Sequence, residues 1–312
     1  MKKALVTGGA GFIATNLIKS LLANNVKVVS LDNYSTGYKL NELEGVEYFT
    51  LDIEEIEKIN DTDFDICFHL AAQSRVQPSF ENPQESIRVN VNGTMKVMEW
   101  AKKRNVKVIY AGSSSKHHDP SDSPYAMTKF LGEEICKLYK SSFNVNVEIA
   151  RFYNVYGPFE PLDEKFGNVI GIWQVMAKKN KPLTIVGDGN QKRDFTHVFD
   201  IVDGLLRIAN TDIKHKDAWE IGTGINYTIN QLFQMFKEIC RILNTKIETG
   251  YLGINKGYLK KGINHKKNQS FLSCILNIIS CLENNLNINE IKLKKLLIEK
   301  LNIDLFKSLY NN

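Results

Sequence analysis

Tyr125 and Lys129 are two side chains of this 312-residue chain that could carry out acid–base chemistry together. In a helix their spacing puts them on one face, one turn apart, so the ammonium can lie beside the phenol. A free tyrosine has a pKa near ~10, so a tyrosine base at pH 7 needs roughly 4 kcal/mol of help. One cation at about 5 Å supplies about 3 kcal/mol of this. A second cation, such as an oxidised nicotinamide ring, would supply the rest.

The stretch that carries this pair begins with three consecutive serines, Ser113–Ser115. If the chain is an enzyme, its chemistry is expected between these serines and Lys129. A lone Tyr-x-x-x-Lys pattern is frequent by chance, however, and an ordinary amphipathic helix would also produce it. The elements that surround the stretch decide between these two interpretations.

The first residues of the chain have the pattern of a nucleotide-binding turn. A short apolar run at 4–6 is followed by Thr-Gly-Gly-Ala-Gly-Phe-Ile-Ala at 7–14, and apolar residues then recur with helical spacing. A strand, a glycine turn and a helix in this order make a glycine motif informative. The glycines allow a tight turn and close approach of a pyrophosphate, which faces the positive end of the helix. The predicted contacts are Gly8, Gly11, Phe12 and Ile13.

A second predicted strand, residues 26–31, ends at Asp32. A carboxylate at this place can accept hydrogen bonds from both ribose hydroxyls and would repel a 2′-phosphate. Asp32 and the adjacent Asn33 are therefore predicted to bind the cofactor, and NAD is favoured over NADP. The alternative is that Asp32 is only a turn residue before Asn33.

Two further strands end in candidate cofactor contacts. Residues 47–51 are followed by Asp52, which could meet the adenine or could instead cap the turn that follows. Residues 65–72 form a continuous apolar run that is typical of a buried parallel strand with a cofactor over its tip. His69 within this run is interpreted as a structural core residue. The predicted contacts from these strands are Asp52, Ile53, Leu70, Ala71 and Ala72.

A long helix is predicted from Pro83 to Arg104, and a fifth strand from Val106 to Ala111 leads into the serines. Ligands of open parallel sheets bind at the carboxyl ends of the strands. The glycine turn, Asp32, the serines and the Tyr125 helix therefore converge on one edge. The predicted fold class is α/β, a Rossmann-type doubly wound parallel sheet with a smaller α/β substrate domain towards the C-terminus.

The composition is that of an ordinary soluble globular protein, with 43% apolar and 24% charged residues. The net charge of +5 does not argue for nucleic acid. Five cysteines without zinc-ligand spacing favour a reducing, cytoplasmic environment. No signal peptide or membrane-spanning run is predicted. No metal is predicted either, because the adjacent loop residues 117–119 seldom point at one ion.

From residue 3 to about 240 the chain resembles the extended short-chain dehydrogenase/reductases, in particular their NAD-dependent nucleotide-sugar epimerase/dehydratase branch. The glycine turn, Asp32, the serines and the Tyr125/Lys129 pair occur in the family's order. So do Asn90-Val91-Asn92-Gly93-Thr94, Arg151-Phe152-Tyr153-Asn154-Val155-Tyr156-Gly157-Pro158 and the segment 187–198. The resemblance implies NAD as the cofactor and a nucleotide sugar as the substrate.

The resemblance also implies roles for individual residues. Tyr125 is expected to be the base, while Lys129 holds the nicotinamide ribose and lowers the pKa of the phenol. Aligning Lys116-His117-His118 with the family's Val-Tyr-Gly gives the sugar-orienting hydroxyl to Ser113, with Ser114 as the alternative. Arg193 is expected on the substrate's phosphates, although an ion pair with a neighbouring aspartate is also possible. The remaining implied contacts are Asn90 for the cofactor and Ser114, Asn154, Asn168 and Val169 for the substrate.

The reaction is predicted from what the serine cluster lacks. Dehydratases of this branch carry an Asp-Glu pair just after the catalytic hydroxyl, and related decarboxylases keep a glutamate there. Here the positions are Ser114 and Ser115, which cannot act as acids near neutral pH. Epimerisation, probably at carbon 4 through a transient keto-sugar and bound NADH, is therefore predicted. The alternatives are a dehydratase or reductase, or a non-catalytic NAD-binding scaffold.

The predicted organisation has three parts. Residues 1–165 form the NAD-binding Rossmann domain, with later segments returning to it, and residues 166–245 form the substrate-binding domain. Residues 246–312 form a divergent C-terminal helical segment, interpreted as a divergent cap, a dimerisation element or the result of a frame shift. Only 12 positions separate Ser113 from Tyr125, which predicts a short loop and a more open site. Relatives suggest a homodimer through two paired helices.

Overall fold

The computed structural model describes residues 1–61, 63–163, 167–242 and 249–252, and a seven-stranded parallel sheet lies at its centre. The strands of the chain are β1 (Lys3–Thr7), β2 (Lys27–Asp32), β3 (Val46–Thr50), β4 (Ile66–His69), β5 (Lys107–Ser113), β6 (Val147–Phe152), β7 (Asn154–Tyr156), β8 (Leu183–Val186), β9 (Lys192–His197), β10 (Trp219–Ile221), β11 (Asn226–Thr228) and β12 (Thr249–Leu252). The central order is β10-β6-β5-β4-β1-β2-β3, and each neighbouring pair is parallel. The predicted doubly wound sheet is confirmed.

Helices cover both faces of this sheet, as a buried parallel sheet requires. They are α1 (Phe12–Ala23), α2 (Val76–Glu81), α3 (Pro83–Ile87), α4 (Thr94–Arg104), α5 (Pro124–Ser142), α6 (Val169–Lys178), α7 (Val198–Asn210) and α8 (Ile229–Ile242). One core cluster joins α1 and α7 to one face, and a second joins α4 and α5 to the other. The chain reverses direction across the sheet between β1 and β4, where ligands of such folds bind.

The helix predicted from Pro83 to Arg104 is interrupted by a wide π turn, Arg88–Gly93, between α3 and α4. Gly93 is the last residue of this turn and packs against Ile53, which lies just after β3. A Cβ built on Gly93 would lie 2.6 Å from Ile53 Cγ2. Single π turns inside helices are frequent at functional sites. Here the turn contains the predicted cofactor residue Asn90.

A second, smaller group of elements follows β6. A three-stranded sheet has the order β11-β9-β7, and β12 pairs with β8. Trp173 of α6 and Phe236 of α8 are fully buried in its core. The first strand of this group begins at Asn154, and β10 returns to the central sheet. The boundary at residue 165 stays a prediction, and the C-terminal segment predicted at 246–312 lies, apart from β12, outside the described residues.

No helix in the part of the chain that the structure describes is long and apolar enough to cross a membrane.

Candidate active site

The predicted catalytic tyrosine and serine are in direct contact. Tyr125 lies in the first turn of α5, which Ser123 caps by accepting a hydrogen bond from the backbone N–H of Ala126 at 3.0 Å. The Tyr125 hydroxyl donates to Ser113 Oγ at 3.1 Å. Ser113 ends β5, so the contact lies at the carboxyl edge of the sheet. Ser115 Oγ donates to the same Ser113 oxygen at 3.0 Å, which ties the cluster together.

The pKa of Tyr125 is raised above the ordinary value of a tyrosine, chiefly because the side chain is buried. The hydrogen bond with Ser113 and the positive charge of Arg75 act in the opposite direction, while Glu133 adds to the rise. The effect of burial on the pKa is larger than these opposing effects, so the phenol of the protein without cofactor keeps its proton at neutral pH. Activation of the phenol by Lys129 together with a bound nicotinamide cation therefore stays a prediction.

Lys129 is buried one turn further along α5, with 5% of its surface exposed. Its ammonium donates to the carbonyl oxygen of Ala111 and lies 4.4 Å from the centroid of the Tyr110 ring. Burial lowers the pKa of Lys129 to about 8. The charges of Arg75 and Glu133 act on the Tyr125 phenol, and the predicted effect of Lys129 on the phenol stays a prediction.

The glycine turn has the geometry that its sequence predicts. Gly8 adopts a positive φ of 71°, and a Cβ built on it would lie 2.8 Å from Ala71 Cα. Gly11 precedes the first residue of α1 and has no side chain to cap that helix, so the first amides of α1, including those of Phe12 and Ile13, can face an anion. The turn thus brings backbone N–H groups to an open edge where a pyrophosphate fits.

Asp32 lies beside this turn with 7% of its surface exposed. Its Oδ2 accepts from the backbone N–H of Ala10 at 2.9 Å and its Oδ1 from that of Tyr34 at 2.7 Å. These bonds fix the carboxylate at the carboxyl end of β2 and leave each oxygen further lone pairs for ribose hydroxyls. One cavity joins the turn, this carboxylate and the tip of β4, and its lining includes the predicted residues Gly8, Gly11, Asp32, Asn33, Ile53, Leu70, Ala71 and Ala72. The donor set fits a dinucleotide.

Two predicted cofactor residues have other partners in the structure. Asp52 caps the turn that follows β3: its Oδ1 accepts from Glu54 N at 3.1 Å, and both its oxygens accept from Arg88. The capping alternative is thus the one that the structure shows. Asn90 is 1% exposed and binds the backbone N–H and C=O of Gln73 as well as Thr128 Oγ1. Its side chain therefore positions the loop after β4 against α5.

The predicted substrate residues lie on the smaller group of elements and on the serine turn. Asn154 Nδ2 donates to the Asp194 carbonyl at 3.1 Å, and Arg193 Nη1 donates to the Lys192 carbonyl at 2.8 Å. Asn168 caps α6, with its Oδ1 accepting from Ile170 N at 2.8 Å. Ser114 and Val169 are partly buried. These roles stay predictions, and for Asn168 the side-chain oxygen is already used by the helix.

Sequence reasoning missed Arg75, whose charge acts on the Tyr125 phenol. Arg75 lies just before α2, in the loop after β4. The sequence could have indicated a role for Arg75, because it follows a central strand and ligands of such sheets bind at the carboxyl ends of the strands. His69, in contrast, is the core residue that was predicted: it is 1% exposed and lies between Thr7 and Thr94.

The family of this chain follows from its similarity to known proteins. Residues 4–222 match the NAD dependent epimerase/dehydratase family. The chain belongs to this family. It is therefore an NAD-dependent enzyme of the nucleotide-sugar epimerase/dehydratase group, and the predicted family and cofactor are confirmed.

Individual relatives differ in the reaction that their names state. A Methanocaldococcus jannaschii protein provisionally named UDP-glucose 4-epimerase is 36% identical over 250 residues, which are 75% of this chain and 81% of that protein. UDP-glucuronic acid decarboxylase 1 of Arabidopsis thaliana is 29% identical, over 76% of this chain and 58% of its own length. The crystal structure of a Thermotoga maritima UDP-glucose 4-epimerase with UDP-glucose has a TM-score of 0.81 and 25% identity, covering 91% of this chain and 99% of that one. This epimerase/dehydratase therefore has relatives with more than one reaction.

Proposed function

We propose that this enzyme interconverts a nucleotide sugar and its carbon-4 epimer. The observation that carries the proposal is the 3.1 Å contact between the Tyr125 hydroxyl and Ser113 Oγ, at the sheet edge that also carries the glycine turn and Asp32. A phenol and a hydroxyl in contact form a pair that can take a proton from a sugar hydroxyl and return it. Bound NAD supplies the chemistry that the side chains lack, by accepting a hydride and returning it.

In this mechanism Ser113 orients the reacting sugar hydroxyl and Tyr125 exchanges its proton. Ser113 Oγ accepts hydrogen bonds from both Tyr125 and Ser115, so its own proton is left to donate to another acceptor, such as the sugar hydroxyl. Lys129, which is buried one turn further along α5 and held by the Ala111 carbonyl, would hold the nicotinamide ribose. Asn154, Val169 and Arg193 would grip the nucleotide while the hexose turns over.

The serine cluster favours epimerisation over elimination. Ser114 and Ser115 occupy the positions where dehydratases carry their acids, and Ser115 Oγ is engaged with Ser113. A hydroxyl with an ordinary pKa cannot protonate a leaving group near neutral pH. Epimerisation needs one base and a reversible hydride transfer only. These serines also distinguish this chain from the related decarboxylases, which keep a glutamate there.

Replacing Tyr125 with Phe tests the proposal. Purified protein is incubated with UDP-, GDP- and dTDP-sugars, and products are read by NMR. Tyr125→Phe should abolish conversion while NAD stays bound, because the loop and Asp32 are unchanged. Tyr139→Phe is a matched control on the same helix, since Tyr139 Oη donates to Glu99 and should be silent for activity. Conversion retained in Tyr125→Phe, a 4-keto-6-deoxy product or net NADH accumulation would each contradict the proposal.

We also propose a homodimer built from α4 and α5. Both helices expose large apolar side chains: Met95 is 44% exposed, and Met127, Leu131 and Leu138 are 38%, 37% and 51% exposed. The three on α5 are 4 and 7 positions apart, so they share one face. Pairing two copies would bury this face in a four-helix arrangement. Light scattering should give twice the chain mass for the wild type and the chain mass for Leu131→Glu.

A cytoplasmic location is the final part of the proposal. Cys67 and Cys136 are both buried and carry free thiols, which is typical of proteins in a reducing environment. Fractionation of the source cells should place the enzyme in the cytoplasm.

A further inference from the structure

The short loop between Ser113 and Tyr125 is held near its start by two side chains, Lys116 and His117. Lys116 donates to Glu134 of α5 at 2.8 Å and lies 3.9 Å from the centroid of the Phe130 ring. His117 Nε2 lies 3.1 Å from Glu220 Oε1 of β10, and its ring stacks on Tyr153 at 6.5 Å with an interplanar angle of 21°. Both anchors lie where the sequence aligns with the family's Val-Tyr. The loop is therefore held on α5 and β10.

The contact between His117 and Glu220 is part of a network of charged side chains that reaches the backbone near Ser113. Tyr153 Oη donates to Glu220 Oε2 at 2.9 Å, and Arg151 Nη1 donates to Glu220 Oε1 at 2.8 Å. The other side of the Arg151 guanidinium donates to Glu133, with Nη2 2.7 Å from Oε2. The resulting chain of contacts runs from His117 through Glu220 and Arg151 to Glu133.

Glu133 then reaches the backbone of the serine itself. The backbone N–H of Ser113 lies 3.4 Å from Glu133 Oε1. A Cβ built on the preceding residue, Gly112, would lie 2.8 Å from the same oxygen and 3.0 Å from Arg151 Cγ. The ion pair therefore packs directly against the end of β5. Because Ser113 caps the turn Ser114–His117, the network and the turn form a closed ring that contains the serine.

We propose that His117 is a positioning residue: through Glu220 and Arg151 it fixes the turn that starts at Ser113, and with it the position of Ser113 Oγ beside the Tyr125 hydroxyl. The inference rests on the proposed function, in which Ser113 and Tyr125 act on the sugar. His117 touches neither the base nor the crevice lining at the glycine turn. It acts by holding the far end of a single turn, whose near end is the reacting hydroxyl.

His117 and Glu220 are the suitable places for a test. Arg151 and Glu133 have side chains only 3% and 1% exposed, and removing one leaves a buried charge that can unfold the protein. Glu220 is 32% exposed and keeps Arg151 and Tyr153 when His117 is removed. His117→Ala therefore loosens the turn without stranding a buried charge.

The measurement is the steady-state rate over pH for the NAD-loaded enzyme. His117→Ala should lower kcat by about tenfold or more, because small misplacements of reacting groups cost this much, while KM stays within about twofold. The hydrogen bond with Ser113 lowers the pKa of Tyr125, so its loosening should also move the rising limb of the kcat profile to higher pH. His117→Gln, which restores a donor near Nε2, should recover kcat to within about threefold. His118→Ala is the control from the same loop and should match the wild type.

Two further measurements test the role of His117: a double-mutant cycle with Glu220, and an NMR titration that does not depend on activity. In a double-mutant cycle, the losses from His117→Ala and Glu220→Gln should be less than additive, because the two substitutions share the contact between His117 and Glu220. Tyrosine Cζ NMR, with the Tyr125 signal assigned by Tyr125→Phe, should show a higher pKa in His117→Ala. Unchanged kcat and pKa in His117→Ala, or additive losses in the cycle, would overturn the inference. A wild type that converts no nucleotide sugar would overturn the proposed function instead, and the NMR titration would still decide the role of His117.

Discussion

Replacing Lys129 with Met should make the protein inactive and change how its stability depends on pH. Lys129 is 5% exposed, and burial lowers its pKa from the ordinary 10.5 to about 8. A depressed lysine pKa means that the native state holds this proton less tightly than the unfolded chain does. The resulting penalty is full below pH 8 and disappears as pH rises past 10.5. Stability contributed through this group therefore increases with pH between these values.

The size of the effect follows from the two pKa values. A fall from 10.5 to about 8 corresponds to a penalty of about 3 kcal/mol at neutral pH. Lys129→Met removes the penalty but also leaves the Ala111 carbonyl without its donor, which costs about 1–3 kcal/mol at every pH. The variant should therefore be equal to the wild type or slightly more stable at pH 7. Between pH 7 and pH 10 the wild type should gain about 2.5 kcal/mol relative to the variant.

Urea denaturation of the cofactor-stripped proteins at several pH values measures this difference. All other titrating groups are common to both proteins and cancel in the subtraction. Lys214→Met is the matched control, since Lys214 is exposed and its curve should stay parallel to that of the wild type. Parallel curves for Lys129→Met and the wild type from pH 7 to 10 would refute the reasoning, because the ammonium would then carry no burial penalty.

Three further outcomes follow from single contacts. Ser113→Ala removes a hydrogen bond that lowers the pKa of Tyr125, so kcat should fall by about a hundredfold and its pH profile should move to higher pH, as measured by product NMR. The Arg88 guanidinium holds the pKa of Asp52 at about 2, a stabilisation present above pH 3.8 and lost as pH falls through 2. Arg88→Gln should therefore cost about 1 kcal/mol at pH 7 and little at pH 2, in denaturation curves at both pH values. Arg151→Met should cost about 3–5 kcal/mol by urea denaturation, because its α5 partner is left as a buried charge.

Short-range patterns made the sheet and the cofactor edge predictable. Strands such as β1 and β4 were marked by apolar runs, and the glycine turn lies between a strand and a helix, so order and function could be inferred together. The strand pattern also predicted that Ser113 and Tyr125 lie at the same carboxyl edge, where the structure shows them in contact. The π turn before Thr94 was not predictable, because the apolar spacing of a helix hardly changes across one wide turn.

The sequence did not allow us to predict which groups the buried charged side chains would contact. Spacing placed Lys129 on the face of Tyr125, but the Ala111 carbonyl that takes its ammonium belongs to another element, 18 positions away. Likewise, His117 and Glu220 are 103 positions apart, and only the pairing of β10 beside β6 brings them together. Helical and strand periodicities report which face a residue occupies and not which charge it meets across the fold. The metal interpretation of residues 117–119 was rejected on sequence grounds, yet the contact between His117 and Glu220 became visible only in the fold.

The two key titratable groups on α5 share one physical condition. Burial raises the pKa of Tyr125 and lowers that of Lys129, so the interior favours the neutral form of each side chain. A positive charge placed in the crevice stabilises the phenolate. Base strength is therefore a property of the loaded site and not of the chain alone. Titration of the Tyr125 Cζ signal with and without NAD should accordingly show a lower pKa in the loaded protein, and equal values would mean that the phenol is activated by some group other than the cofactor.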